Sequence, residues 1–282
     1  MNLLKRTLTG LIFITLIIAS FFLPAIYAFL LFGFFALVGT HEFIKMCRTT
    51  TAEPITTLTL ILAGCTYCLL AATPLCSTSD TLLSELLIFG SISMLLILLI
   101  FTIELYRKKH NPILNISTAL LPLFWIVLPL SLVVFWSHTM EASRVVLATF
   151  IFIWAYDTFA YCGGSLFGKH RLFERISPKK SWEGAIIAFV LTSVAAGFFP
   201  LIPLFAPAEM SIMQWMGLAW TIMVTATFGD LVESLFKRSC KIKDSGKILP
   251  GHGGILDRFD SLFFAVPTAF IFWIFIVQYS NL

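Results

Sequence analysis

Charged side chains are concentrated in one stretch of this chain, from Ser234 to Asp260. Its basic residues are Lys237, Arg238, Lys241, Lys243, Lys247 and Arg258, and its carboxylates are Asp244, Asp257 and Asp260. Cations suit phosphate oxygens, carboxylate oxygens suit Mg²⁺, and glycines let the backbone approach a ligand closely. The stretch therefore predicts a polyphosphate bound through a divalent metal ion. A solvated charged loop is the alternative, and the Pro-Gly-His-Gly-Gly turn at 250–254, followed by paired aspartates, argues against it.

A second pair of carboxylates precedes this stretch. Asp230 and Glu233 are three residues apart and share a helical face, with Lys237 one turn further on. They are candidate metal ligands at the inner edge of a membrane helix. A local ladder of ion pairs is the alternative, and the nearby Asp244, Asp257 and Asp260 make it the weaker interpretation.

Asp157 stands in the segment WAYDTFAY, near the inner end of an apolar helix. A carboxylate facing lipid is costly, so we expect Asp157 to face a polar cavity. A carboxylate close enough to the surface to reach water or a loop lysine is the alternative. Glu42, beside His41, is interpreted as a polar residue between helices and not as part of the site.

The loop after Asp157 contains an incomplete phosphate-binding motif, Gly163 followed by Gly168 and Lys169. The motif requires Ser or Thr after the lysine and a strand before it, whereas His170 and a membrane helix stand there. What remains is a basic segment that ends in Ser177-Pro178-Lys179-Lys180. Ser177 is the predicted N-cap of a helix whose free N–H groups and lysines face an anion; anchoring to lipid headgroups is the alternative.

The elements that position these residues are predicted to be membrane helices. The chain has 282 residues, of which 59% are hydrophobic and 12% charged, a composition that excludes a soluble globule. We predict an all-α, polytopic membrane protein with nine spans of the length that crosses a bilayer. The spans are approximately 8–23, 25–38, 55–72, 82–106, 116–136, 145–161, 185–204, 212–228 and 262–279.

Charge placement predicts the orientation of these spans. A cytoplasmic N-terminus places 18 of the 19 basic residues inside, with only Arg144 outside, and it leaves the C-terminus outside. The first apolar segment is read as a retained anchor and not as a cleaved signal peptide. We divide the chain into N-terminal helices at 1–140, with about five spans, and a catalytic region at 141–282 with long cytoplasmic loops at 162–183 and 237–258.

The pattern of the charged stretch resembles the signature of the phosphatidate cytidylyltransferases, also called CDP-diacylglycerol synthases. The matching positions are Ser234, Phe236, Lys237, Arg238, Lys243, Asp244, Gly246, Leu249, Pro250, His252, Gly253, Gly254, Ile255, Asp257, Arg258, Phe259 and Asp260. The resemblance covers the C-terminal half well, and the N-terminal half only as generic membrane helices. It implies the transfer of CMP from CTP to phosphatidate, giving CDP-diacylglycerol and pyrophosphate.

The resemblance also implies roles for individual residues. The predicted metal ligands are Asp230, Asp257 and Asp260, and the predicted catalytic residues are Lys237, Arg238, Lys243, Asp244, His252 and Arg258. The predicted substrate-binding residues are Asp157, Lys169, Ser177, Lys179, Lys180, Ser234, Gly253 and Gly254. Mg²⁺ is the expected cofactor, and a second cation, monovalent or divalent, is compatible with the carboxylates.

The expected partners are CTP and phosphatidate, with no nucleic acid. The expected location is a bacterial inner membrane, with the active site facing the cytosol, and a homodimer is compatible with a sequence that does not define the oligomeric state.

Two other functions are weighed. A CTP-dependent kinase of a polyprenol or phytol would have to deprotonate a neutral alcohol, and the complete signature argues against it. A transporter would place charges deep in several helices, whereas here they crowd one side.

Overall fold

The computed structural model describes residues 3–72, 79–246, 248, 251 and 253–278, with the side chains of 3–6, 79–86, 207 and 278 excepted. Its first six α-helices are α1 (Leu3–Ser20), α2 (Ala25–Cys47), α3 (Thr56–Ala71), α4 (Ser79–Tyr106), α5 (Pro112–Pro122) and α6 (Leu128–Trp136). The remaining elements are α7 (Met140–Phe167), β1 (Arg171–Phe173), β2 (Ser177–Ser181), α8 (Trp182–Gly197), α9 (Ile212–Ser239), α10 (Leu256–Phe259) and α11 (Leu262–Phe272). Short π-helical segments join α5 to α6 (Leu123–Val127) and follow α11 (Trp273–Gln278).

Each of the nine predicted apolar segments contains a helix. Within the part of the chain that the structure describes, seven helices are long and apolar enough to cross a bilayer, and Thr7–Ser20 and Thr56–Ala71 are shorter apolar helices. Large apolar side chains lie on the outer surface of these helices, such as Leu95, Phe124 and Ile186. Lipid is the solvent that makes such exposure stable. The prediction of an all-α polytopic membrane protein is confirmed, while the nine-span count and the orientation stay predictions.

The chain forms two compact units. The first comprises Met1–His138 and Ser239–Phe259, and the second comprises Thr139–Arg238 and Asp260–Leu282. Most of the segment 237–258, which the sequence analysis groups with the C-terminal region, therefore clusters with the N-terminal helices. The predicted division at residue 140 stays a prediction about function.

Aromatic packing joins α10, which is part of the signature between Ser234 and Asp260, to the other helices of the first unit. The Phe259 ring, at the end of α10, lies 5.1 Å from that of Phe35 on α2 and 5.5 Å from that of Phe13 on α1. Phe35 and Phe259 are buried. Ring pairs at such distances contribute on the order of 1 kcal/mol beyond the burial of their area. The first two helices thus form the support on which α10 rests.

The second unit is built around α7 and α8. Between them, β1 and β2 form an antiparallel hairpin in which Arg171 pairs with Ser181 and Phe173 pairs with Ser177. Ser181, not Ser177, is the N-cap of α8, because its hydroxyl accepts a hydrogen bond from the Gly184 N–H at 3.2 Å. The predicted cap at Ser177 is wrong: that residue pairs within the hairpin, and the helix begins four residues after Pro178.

Candidate active site

A cavity of about 460 Å³ with charged residues in its lining lies in the second unit, between the hairpin and helices α7 and α9. Its polar lining comprises Tyr156, Asp157, Tyr161, Ser165, Arg171, Lys179, Lys180, Ser181, Thr227 and Asp230. Asp157, Lys179, Lys180 and Asp230 are predicted site residues that the structure thus brings together. Their combination of cations and carboxylates suits phosphate groups and a metal ion.

The hairpin carries the cations of this cavity. Because the strand side chains alternate, Lys179 is exposed whereas Lys180 is partly covered, and Lys180 Nζ lies 2.6 Å from Asp230 Oδ2. Asp230 Oδ1 also accepts a hydrogen bond from the Ser234 hydroxyl at 3.2 Å. These contacts connect the hairpin, the cavity and one turn of α9.

A group of carboxylates surrounds Asp260. Asp157, Asp230 and Glu233 all lie close enough to interact electrostatically with it. The backbone makes this possible, because the Asp260 carbonyl and Ser261 pack directly on Gly229 of α9, where a Cβ atom would stand 2.6 Å from that carbonyl oxygen. Four carboxylates in a partly buried site repel one another unless cations neutralise them.

The same helix supplies one neutralising cation. Lys237 Nζ lies 2.9 Å from Glu233 Oε1, and the two side chains are 12% and 1% exposed. The predicted stripe of Asp230, Glu233 and Lys237 is therefore present on α9. Arg238, at the end of that helix, is exposed.

Glu183 holds the start of the hairpin. Its carboxylate accepts hydrogen bonds from the Lys169 N–H at 3.1 Å and the His170 N–H at 3.2 Å, and it lies 2.6 Å from His170 Nδ1. The incomplete phosphate motif accordingly forms no phosphate loop, since Gly163 is part of α7 and the amides after Gly168 bond to Glu183. The Lys169 side chain is exposed, and Ser177 is partly buried.

In the first unit, hydrogen bonds from described residues of the signature hold Asp257. Asp257 Oδ2 accepts hydrogen bonds from the Ser245 N–H at 2.9 Å, the Ser245 hydroxyl at 2.9 Å and the Gly254 N–H at 2.8 Å. Three donors on one oxygen fix the direction of the carboxylate. Asp260 lies in the turn after α10 and not within that helix.

The other predicted residues of this segment lie around that centre. Lys243, Asp244 and Arg258 are exposed, Gly253 is half-buried and Gly254 is buried. Gly251 and Gly253 have φ values of 81° and 82°, the left-handed conformation of a glycine turn. His252 lies outside the described residues.

Cys240, between Ser234 and Asp260, is buried. Burial raises the pKa of its thiol, and the Thr49 hydroxyl donates a hydrogen bond to its carbonyl at 2.8 Å. The thiolate is the reactive form of cysteine. Cys240 is therefore a packing residue.

Several residues near these groups were missed by the sequence reasoning. Arg171 lines the cavity, and the Tyr156 hydroxyl lies 2.8 Å from Thr227 Oγ1 at its wall. The run of basic residues that begins at Lys169 could have indicated Arg171 as a site residue. Nothing in the sequence distinguishes Tyr156 or Thr227 from other residues of membrane helices. Glu42, interpreted as a helix-interface residue, accepts a hydrogen bond from the Leu256 N–H at 3.1 Å.

The donor chemistry of the second unit fits Mg²⁺. Asp157 and Asp230 line the cavity, Asp260 lies close enough to both to interact electrostatically, and like charges so placed favour a bound cation. Among the described residues no three His, Cys, Asp or Glu side chains are already arranged around a single metal position. In this arrangement Lys180 is the cation on Asp230.

Comparison with known proteins agrees with this chemistry. A family model described as the cytidylyltransferase family matches residues 4–276. A phosphatidate cytidylyltransferase of Rickettsia bellii is 36% identical over 170 residues, which cover 59% of this chain and 72% of that protein. Phosphatidate cytidylyltransferases of Staphylococcus epidermidis and Rickettsia typhi are 46% and 41% identical over 136 and 149 residues.

These alignments cover about half of this chain: the staphylococcal match spans 47% of it and 50% of its relative, and the Rickettsia typhi match spans 51% and 65%. The family match, by contrast, includes the N-terminal helices as well as the signature segment. The resemblance drawn from the pattern between Ser234 and Asp260 is confirmed. This chain belongs to the cytidylyltransferase family.

Proposed function

We propose that the protein transfers CMP from CTP to phosphatidate, giving CDP-diacylglycerol and pyrophosphate. The observation that carries this proposal is the cavity of about 460 Å³, in which cations of the hairpin stand beside carboxylates of two membrane helices. Lys179 and Arg171 contribute positive charge for phosphate oxygens, Asp230 contributes oxygen ligands for a metal ion, and Asp157 is a proposed substrate-binding residue of the same cavity. The names of the relatives supply the substrate class.

The chemistry requires little more than charge and position. Phosphatidate attacks the α-phosphorus of CTP with an oxygen that is already anionic, so a general base is unnecessary. Stabilisation of the developing charge and in-line positioning account for most of the rate in such transfers. The described site fits this requirement, because its reactive groups are lysines, arginines and carboxylates.

Each group of residues has a proposed role. Asp230, Asp257 and Asp260 are the proposed metal ligands, and Mg²⁺ would supply charge neutralisation on the phosphates. Lys237, Arg238, Lys243, His252 and Arg258 are proposed to bind or neutralise phosphate oxygens, with Asp244 assisting the metal. Lys179, Lys180 and Lys169 are proposed to draw CTP to the cavity.

The same proposal includes the membrane arrangement. Nine spans with a cytoplasmic N-terminus would present the hairpin and the signature segment to the cytosol, from which CTP comes. The acyl chains of phosphatidate would stay in the bilayer while its headgroup reaches the cavity. We propose the bacterial inner membrane as the location, and a homodimer is compatible with the sequence.

The experiment uses the purified full chain in mixed micelles with phosphatidate, Mg²⁺ and one nucleotide at a time. CTP should give CDP-lipid and pyrophosphate in equal amounts, dCTP should also be used, and ATP and GTP should be poor substrates. Omission of phosphatidate is the control and should abolish pyrophosphate release. Equal turnover with ATP, or product formation from a polyprenol in place of phosphatidate, would instead indicate a lipid kinase.

A further inference from the structure

Glu42 connects the N-terminal helices to the signature segment. It lies on α2, is 3% exposed, and its Oε2 accepts a hydrogen bond from the Leu256 N–H, 214 positions further along the chain. Burying a carboxylate costs free energy unless its environment supplies hydrogen bonds. An apolar residue would pack α2 without this cost in free energy. The buried carboxyl group of Glu42 therefore calls for an explanation beyond packing.

Two glycines of the signature segment leave the space that Glu42 fills. A Cβ atom at Gly246 or at Gly254 would collide with the Glu42 carboxylate. The Cβ of Gly246 would also stand 3.1 Å from the Cα of Gly254, so these two parts of the backbone meet at the carboxylate. Glu42 thus lies where residues 246 and 254 approach each other.

The residues that touch Glu42 are those that hold Asp257. Gly254 and Ser245, which donate to Asp257 Oδ2, also lie against the Glu42 carboxyl group, and the Ser245 side chain hydrogen-bonds to it. Leu256, which donates to Glu42, immediately precedes Asp257. Any movement of Glu42 would consequently move the donors that orient the Asp257 carboxylate.

We propose that Glu42 is a positioning residue for Asp257. It holds residues 245–246 against residues 254–257 and thereby fixes the direction of the Asp257 carboxylate before any ligand binds. Asp257 acts as a metal ligand only under the proposed function, so the catalytic consequence rests on that function, whereas these contacts do not. Residues that orient a metal ligand commonly change metal affinity or activity about 10-fold to 100-fold when they are replaced.

Glu42→Gln is the primary test, because it keeps the size of the side chain. Its carbonyl can still accept from Leu256, but its amide group, a hydrogen-bond donor, replaces a carboxylate oxygen, an acceptor, beside Gly246 and Gly254. Amide hydrogen exchange at residues 254–257, measured by mass spectrometry without metal or substrate, should become about 10-fold faster. The Mg²⁺ concentration for half-maximal turnover should rise about 10-fold, while the KM for CTP at saturating Mg²⁺ stays unchanged.

Glu141→Gln is the matched control. Glu141 is exposed at the start of α7, and this change should leave both exchange and turnover as in the unchanged protein. A double-mutant cycle adds a second measurement. Gly246→Ala should impair turnover alone, and should do so much less when Glu42→Ala has removed the carboxylate with which the new methyl group collides.

The outcomes separate the two proposals. Unchanged exchange in Glu42→Gln would overturn the positioning role, whereas faster exchange with an unchanged Mg²⁺ requirement would overturn the proposed role of Asp257 as a metal ligand. If the unchanged protein forms no CDP-lipid, the proposed function fails. The exchange measurement still decides whether Glu42 holds residues 245–246 against residues 254–257. If Glu42→Ala does not fold, Glu42→Gln alone provides the decision.

Discussion

At the scale of single residues, the site depends on how carboxylates are held. Asp257 binds three donors through one oxygen, so its direction is set by the backbone of its own loop. Asp230 is held differently, by Lys180 and Ser234. Asp260 is placed by a backbone contact with Gly229. Each proposed metal ligand therefore has its own structural support.

Asp257→Asn should abolish turnover while the protein stays folded. The amide oxygen of Asn can occupy the Oδ2 position and keep all three hydrogen bonds, so the main loss is the negative charge. Removing several kcal/mol of charge stabilisation corresponds to a loss of roughly 100-fold or more in rate. The measurement is CDP-lipid formation at limiting Mg²⁺, with gel filtration in detergent as the test of folding.

Asp257→Ala is the informative comparison, since it removes the hydrogen bonds as well. Three unsatisfied donors should cost about 1–3 kcal/mol each where they stay buried, and thermal stability should fall. A near-normal rate for Asp257→Asn at limiting Mg²⁺ would contradict both the metal assignment and the central role of the signature segment.

At the scale of elements, the close approach of α7 and α8 positions the hairpin. A Cβ atom at Gly184 would stand 2.6 Å from the Ala160 carbonyl oxygen and 2.9 Å from Gly164. Gly184→Ala should therefore push the helices apart, lower the melting temperature by the equivalent of about 1–3 kcal/mol, and weaken CTP binding because the hairpin moves.

Gly64→Ala is the matched control for this change. Gly64 lies within α3, and its Cβ would meet only the Leu37 side chain at 3.8 Å, an ordinary contact. Melting curves and the KM for CTP of the two variants make the comparison. Equal melting temperatures would show that α7 and α8 tolerate a wider separation than their packing implies.

The elements also show what could be predicted locally. The apolar helices could be predicted from the length of the apolar segments, because a bilayer demands about 20 apolar residues and satisfied backbone hydrogen bonds. The hairpin could not be predicted, since three- and five-residue strands rich in charge have no hydrophobic alternation. The Ser177-Pro178 pair matched the rule for a helix start, but pairing with β1 competes with that rule, and an edge strand tolerates proline.

At the scale of the whole molecule, charge placement predicts which loops share a side of the membrane. Lys179 and Glu141 are both exposed, and they are predicted to face opposite sides. In a cysteine-free background, Lys179→Cys should react with an impermeant thiol reagent only from the cytosolic side, and Glu141→Cys only from the other.

The loop that contains His252 should react from the same side as Lys179. Labelling in inside-out and right-side-out vesicles provides the measurement, and labelling after detergent lysis is the control for reactivity. Reaction of Glu141→Cys from the cytosol, without that of Lys179→Cys, would contradict the nine-span orientation and the use of charge to derive it.

Whole-molecule contacts were the least predictable part of the site. The signature positions could be read from the sequence because they follow one another along the chain. Glu42 could not, since a contact across 214 residues has no local pattern, and a lone carboxylate in an apolar helix is equally compatible with helix packing. The same holds for the clustering of residues 239–259 with the N-terminal helices.

The most direct test of cytidylyl transfer is the fate of each phosphorus atom of CTP. Two parallel reactions with phosphatidate would use CTP labelled at the α-phosphorus or at the γ-phosphorus, followed by separation of lipid from water-soluble products. The account predicts the α label in the lipid and the γ label in pyrophosphate. Transfer of the γ label to lipid, with the α label left in CDP, would contradict it.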